Sequence, residues 1–174
     1  MIFGFTRKDM LEITGLSPGS LYYLQACGLV FPQEGSGGVF AAESILEILV
    51  IEHLKKVFSF KHKTRYIFPV VKHLRKFSYD PALFRMNIVL CRGRIYWEDA
   101  SDESQECSVS ERIFDILEPE EKRMYLMRIP LGNVTADLWQ RADGFKDVFD
   151  FHKRIKGTAL AKIRKSFQSE CLIT

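Results

Sequence analysis

Between residues 6 and 28 the chain carries two helix-start and two helix-stop signals, spaced so closely that only two very short helices fit between them. Thr6 precedes Arg7-Lys8-Asp9, which sets a carboxylate three residues after a hydroxyl cap. At that offset each side chain satisfies a backbone N–H that the first turn leaves without a partner. Met10, Leu11 and Ile13 supply apolar spacing for a short helix, and Thr14-Gly15 ends it. Ser17 then caps a second helix, with Pro18 at the first helical position, where its missing N–H costs nothing. Leu21 and Leu24 face inward, the same spacing draws Tyr23 toward the core, and Gly28 is the stop. Two short helices joined by a glycine-containing turn have the layout of a helix-turn-helix, whose second helix enters the DNA major groove with its N-terminal residues leading.

After Gly28, the apolar pieces Leu29-Val30-Phe31-Pro32 and Val39-Phe40 flank a loop rich in glycine at residues 33–38, which predicts a small hairpin, or wing, over residues 31–40. Neither GxGxxG nor GxxxxGK[ST] occurs there, so the glycines mark a turn and not a phosphate cradle. Ile45, Leu46, Ile48, Leu49 and Leu54 lie at helical spacing within residues 42–57, with Lys55 and Lys56 in the last turn, where they suit the helix dipole. Ser59 is placed to cap a fourth helix through Lys76, which Pro69 must bend or split.

The string Thr14-Gly15-Leu16-Ser17-Pro18-Gly19-Ser20-Leu21-Tyr22-Tyr23-Leu24-Gln25-Ala26-Cys27-Gly28-Leu29-Val30-Phe31-Pro32 resembles the recognition-helix signature of the MerR family of transcriptional regulators, roughly tGvs..tLRyYe..GLl.P. A wing and two helices follow at the family's distance, and the likeness covers about residues 5–76. The chain departs from the pattern at Tyr22, where the family commonly has Arg, and at Val39, where an Arg normally precedes the aromatic residue of the wing. The resemblance implies a DNA-facing set of Thr6 and Lys8 near the first helix, Ser17, Gly19, Ser20, Tyr22 and Tyr23 on the recognition helix over 18–27, and Gln33, Ser36 and Gly37 on the wing. Lys55 and Lys56 are candidates for flanking phosphates, or ordinary solvated charge. The two missing arginines remove expected phosphate contacts, and each one lost should flatten the salt dependence by about one unit of slope.

The net charge of +3 matters for its distribution. Residues 1–78 hold ten Lys/Arg against six Asp/Glu, residues 79–140 seven against twelve, and residues 141–174 eight against four, so two basic ends flank an acidic middle. A basic segment suits phosphate neutralisation, and a solvated surface accounts for it equally well. The run Lys61-His62-Lys63-Thr64-Arg65 and the run Lys72-His73-Leu74-Arg75-Lys76 are a candidate nucleic-acid face or solvated helix surface. Cys27, Cys91, Cys107 and Cys171 form no CxxC pair, which argues for reduced structural thiols and no zinc site. The apolar run 45–51 is interrupted by Glu47 and too short for a bilayer, and the N-terminus lacks a signal-peptide layout, so the expected address is cytoplasmic.

In the rear half, residues 86–91 and 94–98 are rich in strand formers around Arg92-Gly93 and predict a hairpin. Its ring pair Tyr96 and Trp97 is a candidate effector pocket. Residues 98–106 read as an acidic loop without calcium-hand spacing, 110–117 as a short helix, and 124–131 as a strand or an amphipathic helix ending before Pro130. Thr135 opens a helix to Lys156, closed by Gly157, on which Leu138, Ala142, Phe145, Phe149 and His152 are spaced by four, three, four and three. MerR-type regulators pair through a C-terminal helix, so this seam is the candidate dimerisation surface, with a stripe of the chain's own core as the alternative. Thr158 caps a last basic helix with Leu160, Ile163 and Phe167 inward.

No GxSxG or HExxH and no spacing of His, Cys or paired carboxylates supports a catalytic or metal centre, and no cofactor is implied. The chain is therefore expected to be α+β, mainly α, with a winged helix-turn-helix over 1–78 and a mixed hairpin and helical region over 79–174 for dimerisation, effector input or interaction. The expected partners are double-stranded DNA, a second copy of the chain, and RNA polymerase or another regulator; no membrane is expected. A protein-interaction adaptor that keeps the winged fold without DNA contact is the rival, motivated by Tyr22 and Val39.

Overall fold

The computed structural model describes residues 4–57, 63–91, 94–99, 127–145 and 148–168. The protein is α+β and mainly helical: among the described residues there are seven α-helices, a 3-10 turn and a three-stranded antiparallel sheet. The predicted short helix at 110–117 lies outside the described residues, as do most of the acidic loop and the predicted cap Ser59.

Helix α1 (Arg7–Thr14) and helix α2 (Pro18–Ala26) form where the caps require. Asp9 N–H donates to Thr6 Oγ1 at 3.3 Å while Thr6 N–H donates to Asp9 Oδ2 at 2.8 Å, a reciprocal capping box. Ser17 Oγ accepts from Ser20 N–H at 3.1 Å. Gly15 and Gly28 close the two helices at φ 70°, a left-handed conformation that costs any residue with a Cβ about 1–2 kcal/mol.

The predicted hairpin pairs differently. Phe40 bonds in both directions with Phe5, each at 2.8 Å, and not with residues 29–32. The reason is local: Leu29 and Val30 N–H both turn back to Leu24 O to close α2, and Pro32 has no N–H to give. Across the loop stem Gln33 N–H donates to Val39 O at 2.7 Å, and Ser36 binds the tip together by donating to Gln33 O and accepting from Val39 N–H.

Helix α3 (Ala42–Val57) has its predicted bounds but is more than a stripe: Ile45, Leu46, Ile48, Leu49, Val50, Ile51 and Leu54 are all buried, as in a helix at the centre of a core. Helix α4 (Lys63–Lys76) runs unbroken through Pro69. Pro69 sits on the exposed side, so the carbonyl one turn earlier that lost its donor lies on that outer side too, while Ile67, Val70, Val71 and Leu74 point inward.

A 3-10 turn (Pro81–Arg85) leads into β1 (Met86–Cys91), which pairs with β2 (Arg94–Asp99) on one side and β3 (Met127–Pro130) on the other. Ile88 lies opposite Trp97 and Ile129, so the two predicted strands pair and 127–130 is a strand.

The single helix predicted over 135–156 is two helices, α5 (Leu131–Asp143) and α6 (Val148–Ile155), followed by α7 (Ala159–Gln168). Pro130, not Thr135, precedes α5; Thr135 is inside it, buried, its hydroxyl donating to Gly132 O at 2.7 Å. Nor does Thr158 cap α7: its hydroxyl donates back to Ile155 O, and Glu43 of α3 accepts from Ala159 N–H at 3.0 Å instead.

One apolar core runs through both expected halves, from Phe5, Met10 and Leu21 through α3 to Ile88, Leu138, Phe151 and Leu160. The junction expected at 78/79 is a tied turn: Ser78 and Tyr79 adopt φ of 51° and 55°, and Tyr79 donates to Glu47 of α3 at 2.5 Å.

Candidate nucleic-acid interface

Leu21 and Leu24 anchor α2 on the core, and Leu29 and Val30 lock its end. With that face fixed, Gly19, Tyr22, Tyr23 and Ala26, at i, i+3, i+4 and i+7, form one exposed stripe. Tyr22 is 66% and Tyr23 53% exposed, so Tyr23 points outward and not into the core. A Cβ on Gly19 would meet no atom within 4 Å, which leaves the first turn of α2 open on its outer side. The thiol of Cys27, one turn on, pushes the pKa of Tyr23 up.

The hydroxyls of the predicted set are engaged in holding the backbone. Thr6 serves the capping box, Ser17 and Ser20 bond each other at 2.8 Å, and Ser36 binds the loop tip. Thr6, Lys8, Ser17, Gln33 and Gly37 are exposed, while Ser20 and Ser36 are half-buried. Lys55 is taken up by Glu52 at 2.9 Å, and Lys56 stays exposed in the last turn of α3.

Arg7 is absent from the predicted set, and the structure places its guanidinium on the leading turn of α2, where it donates to Pro18 O at 3.1 Å. Its position in the first turn of α1, beside Lys8, was the available signal. Arg7 and Lys8 are both exposed, and Arg7 puts positive charge at the start of α2, which itself holds no charged residue.

Arg75 of α4 positions the loop. Its Nε and Nη2 pair with both carboxylate oxygens of buried Glu47 at 2.6 and 2.9 Å, its Nη2 also donates to Leu29 O at 2.6 Å, and its guanidinium lies 5.6 Å from the centre of the exposed Phe31 ring. The Glu47 hydrogen bond raises the pKa of Arg75, and burial followed by the Glu47 charge pushes that of Tyr79 well up.

Both ends of α1 are held from the rear half. Arg154 donates to Asp9 Oδ2 at 2.8 Å and lies over the Phe5 ring, and Arg141 donates to Thr14 O at 2.7 Å. Burial works against the Asp9 carboxylate, but the Thr6 and Arg154 hydrogen bonds outweigh it and hold its pKa below the usual range.

The predicted dimerisation seam faces the chain's own interior. Leu138 and Ala142 are fully buried, Phe145 nearly so, and His152 is half-buried beside Arg164. The Phe149 side chain and the Tyr96 side chain of the predicted effector pocket lie outside the described residues. Trp97 stacks on His73 at 4.2 Å. Among the described residues no three of His, Cys, Asp and Glu gather into a potential metal site, and no helix is long and apolar enough to cross a membrane.

No protein-family model, curated protein or solved structure matches the chain.

Proposed function

We propose that the protein is a sequence-specific DNA-binding transcriptional regulator of winged helix-turn-helix type, with α2 in the major groove and the glycine-rich loop on adjacent backbone. The observation that carries this is the presentation of α2: its inner face is fixed by buried leucines, while its leading turn and its whole outer stripe are exposed, with Arg7 against the leading turn and Lys8 next to Arg7 in sequence. Binding to a near-palindromic site calls for two copies. Leu138, Ala142 and Phe145 are buried within one chain, which leaves these three side chains out of such a pairing.

Gly19→Ala separates fold from function. Glycine in a helix is less stable than alanine by about 0.5–1 kcal/mol, and the site is open, so this variant should melt at a higher temperature. The added methyl group stands between the helix and the groove, so affinity for duplex DNA selected from a random pool should fall about tenfold in polarisation titrations, a loss of about 1.4 kcal/mol. Unchanged affinity would remove α2 from the groove. With Arg7 and Lys8 as the cations near the helix, log K should fall against log salt with a slope of about −2 for each α2 bound.

A second function, a protein-interaction adaptor, is favoured by the absence of charge on α2 and by the exposed rings of Tyr22, Tyr23 and Phe31. Failure of any duplex to bind at low salt would select it.

A further inference from the structure

We propose that α2 selects its DNA sites through the 5-methyl group of pyrimidines, thymine foremost, with the rings of Tyr22 and Tyr23 as the contact surface. The inference rests on the reading of α2 as a major-groove helix and specifies what such a helix can discriminate.

The base edges of the major groove ask for particular side chains. Guanine presents two acceptors that suit Arg or Lys, adenine an acceptor and donor that suit Asn or Gln, and cytosine a donor that suits a carboxylate; thymine adds a methyl group that takes an apolar contact. The outward stripe of α2, Gly19, Tyr22, Tyr23 and Ala26, holds none of the first three kinds. Gln25, the one amide side chain of the helix, is half-buried and off the stripe. The hydroxyls of Ser17 and Ser20 are bonded to each other, and Ser17 also accepts from the backbone of Ser20. Two adjacent rings, each more than half exposed, remain to tell one base pair from another. A methyl group covered by such a ring leaves water, and its removal should weaken binding about three- to fivefold.

The test uses the full chain and the duplex it binds best after selection from random DNA. Each thymine is replaced in turn by uracil, which keeps the hydrogen-bonding edge and lacks the methyl group, and each cytosine by 5-methylcytosine. The expected result is a three- to fivefold loss at one or more uracil positions, and tighter binding when a cytosine placed there is methylated. Tyr22→Ala with Tyr23→Ala should erase the difference between the thymine and uracil duplexes, while Tyr22→Phe with Tyr23→Phe should keep it. All four side-chain changes are at exposed positions, so folding is preserved. Equal binding of thymine and uracil duplexes at every position would overturn the inference and leave DNA binding standing. Selection of no duplex at all would overturn both.

Discussion

Glu47 shows how one residue shapes its surroundings. Its side chain is 3% exposed in the middle of the central helix, and Arg75 and Tyr79 satisfy its carboxylate oxygens. Arg75→Met would leave that charge buried without its cation, and cost about 3–5 kcal/mol in urea unfolding. The same variant frees Leu29 O and Phe31, so it should also loosen the glycine-rich loop, seen as faster amide exchange at Gln33, whose N–H closes the stem. Loss of less than 1 kcal/mol would mean that the pair does not hold the core. Nothing local marks this arrangement: in sequence Glu47 only interrupts an apolar run, and its partner is 28 residues away. The serines and Thr6 were legible as caps for the opposite reason, since their partners are three residues away.

At the scale of elements, α4 meets the sheet through a stack of rings: His73 lies 4.2 Å from Trp97 of β2, nearly parallel to it, and 4.6 Å from Phe77. Burial, and then the charge of Lys76, hold the pKa of His73 below its ordinary value. A depressed folded pKa means that the neutral form is favoured on folding. The stabilisation from the stack is therefore fully present above about pH 6.5, the unfolded value, and is lost as pH falls through the folded pKa. His152, lowered by burial and Arg164, acts with the same sign. Melting temperature should fall on acidification below about pH 6.5, and His73→Phe with His152→Gln should flatten that dependence; an unaltered pH profile in the double variant would place its origin in other groups. Helices α1 and α2, bounded by caps and glycines, and α3, marked by its apolar spacing, were readable to within a residue or two. The break between α5 and α6 was not: Gly144 ends α5 in right-handed backbone, with no left-handed signature, and the chain turns there as Phe145 and Phe151 pack edge to face at 6.3 Å.

Over the whole molecule, the front and rear halves share one buried core. Arg154 and Arg141 hold α1, His53 of α3 pairs with Asp137 of α5 at 3.3 Å, and Glu43 of α3 receives the first N–H of α7. A fragment of residues 1–78 would expose the face of α3 that the rear half covers and lose both arginine contacts to α1. We expect it to lack a cooperative thermal transition under conditions where the full chain shows one by calorimetry. A fragment that melted cooperatively would make residues 1–78 an independent domain. The sequence pointed toward a boundary here because the family likeness ends near residue 76, and the charge changes sign close by, yet neither local motifs nor surface charge reveal what is shared beneath.

Local chemistry settled the bounds of α1, α2 and α3 and the pairing of β1 with β2, because caps, glycines and alternating apolar residues act over a few positions. Tertiary structure alone decided that Phe40 pairs with Phe5, that Pro69 leaves α4 whole, that the seam from Leu138 to Phe145 turns inward and that both halves share a core. Those outcomes depend on which surfaces remain to be buried once the elements meet, a competition among residues distant in sequence that no short window contains.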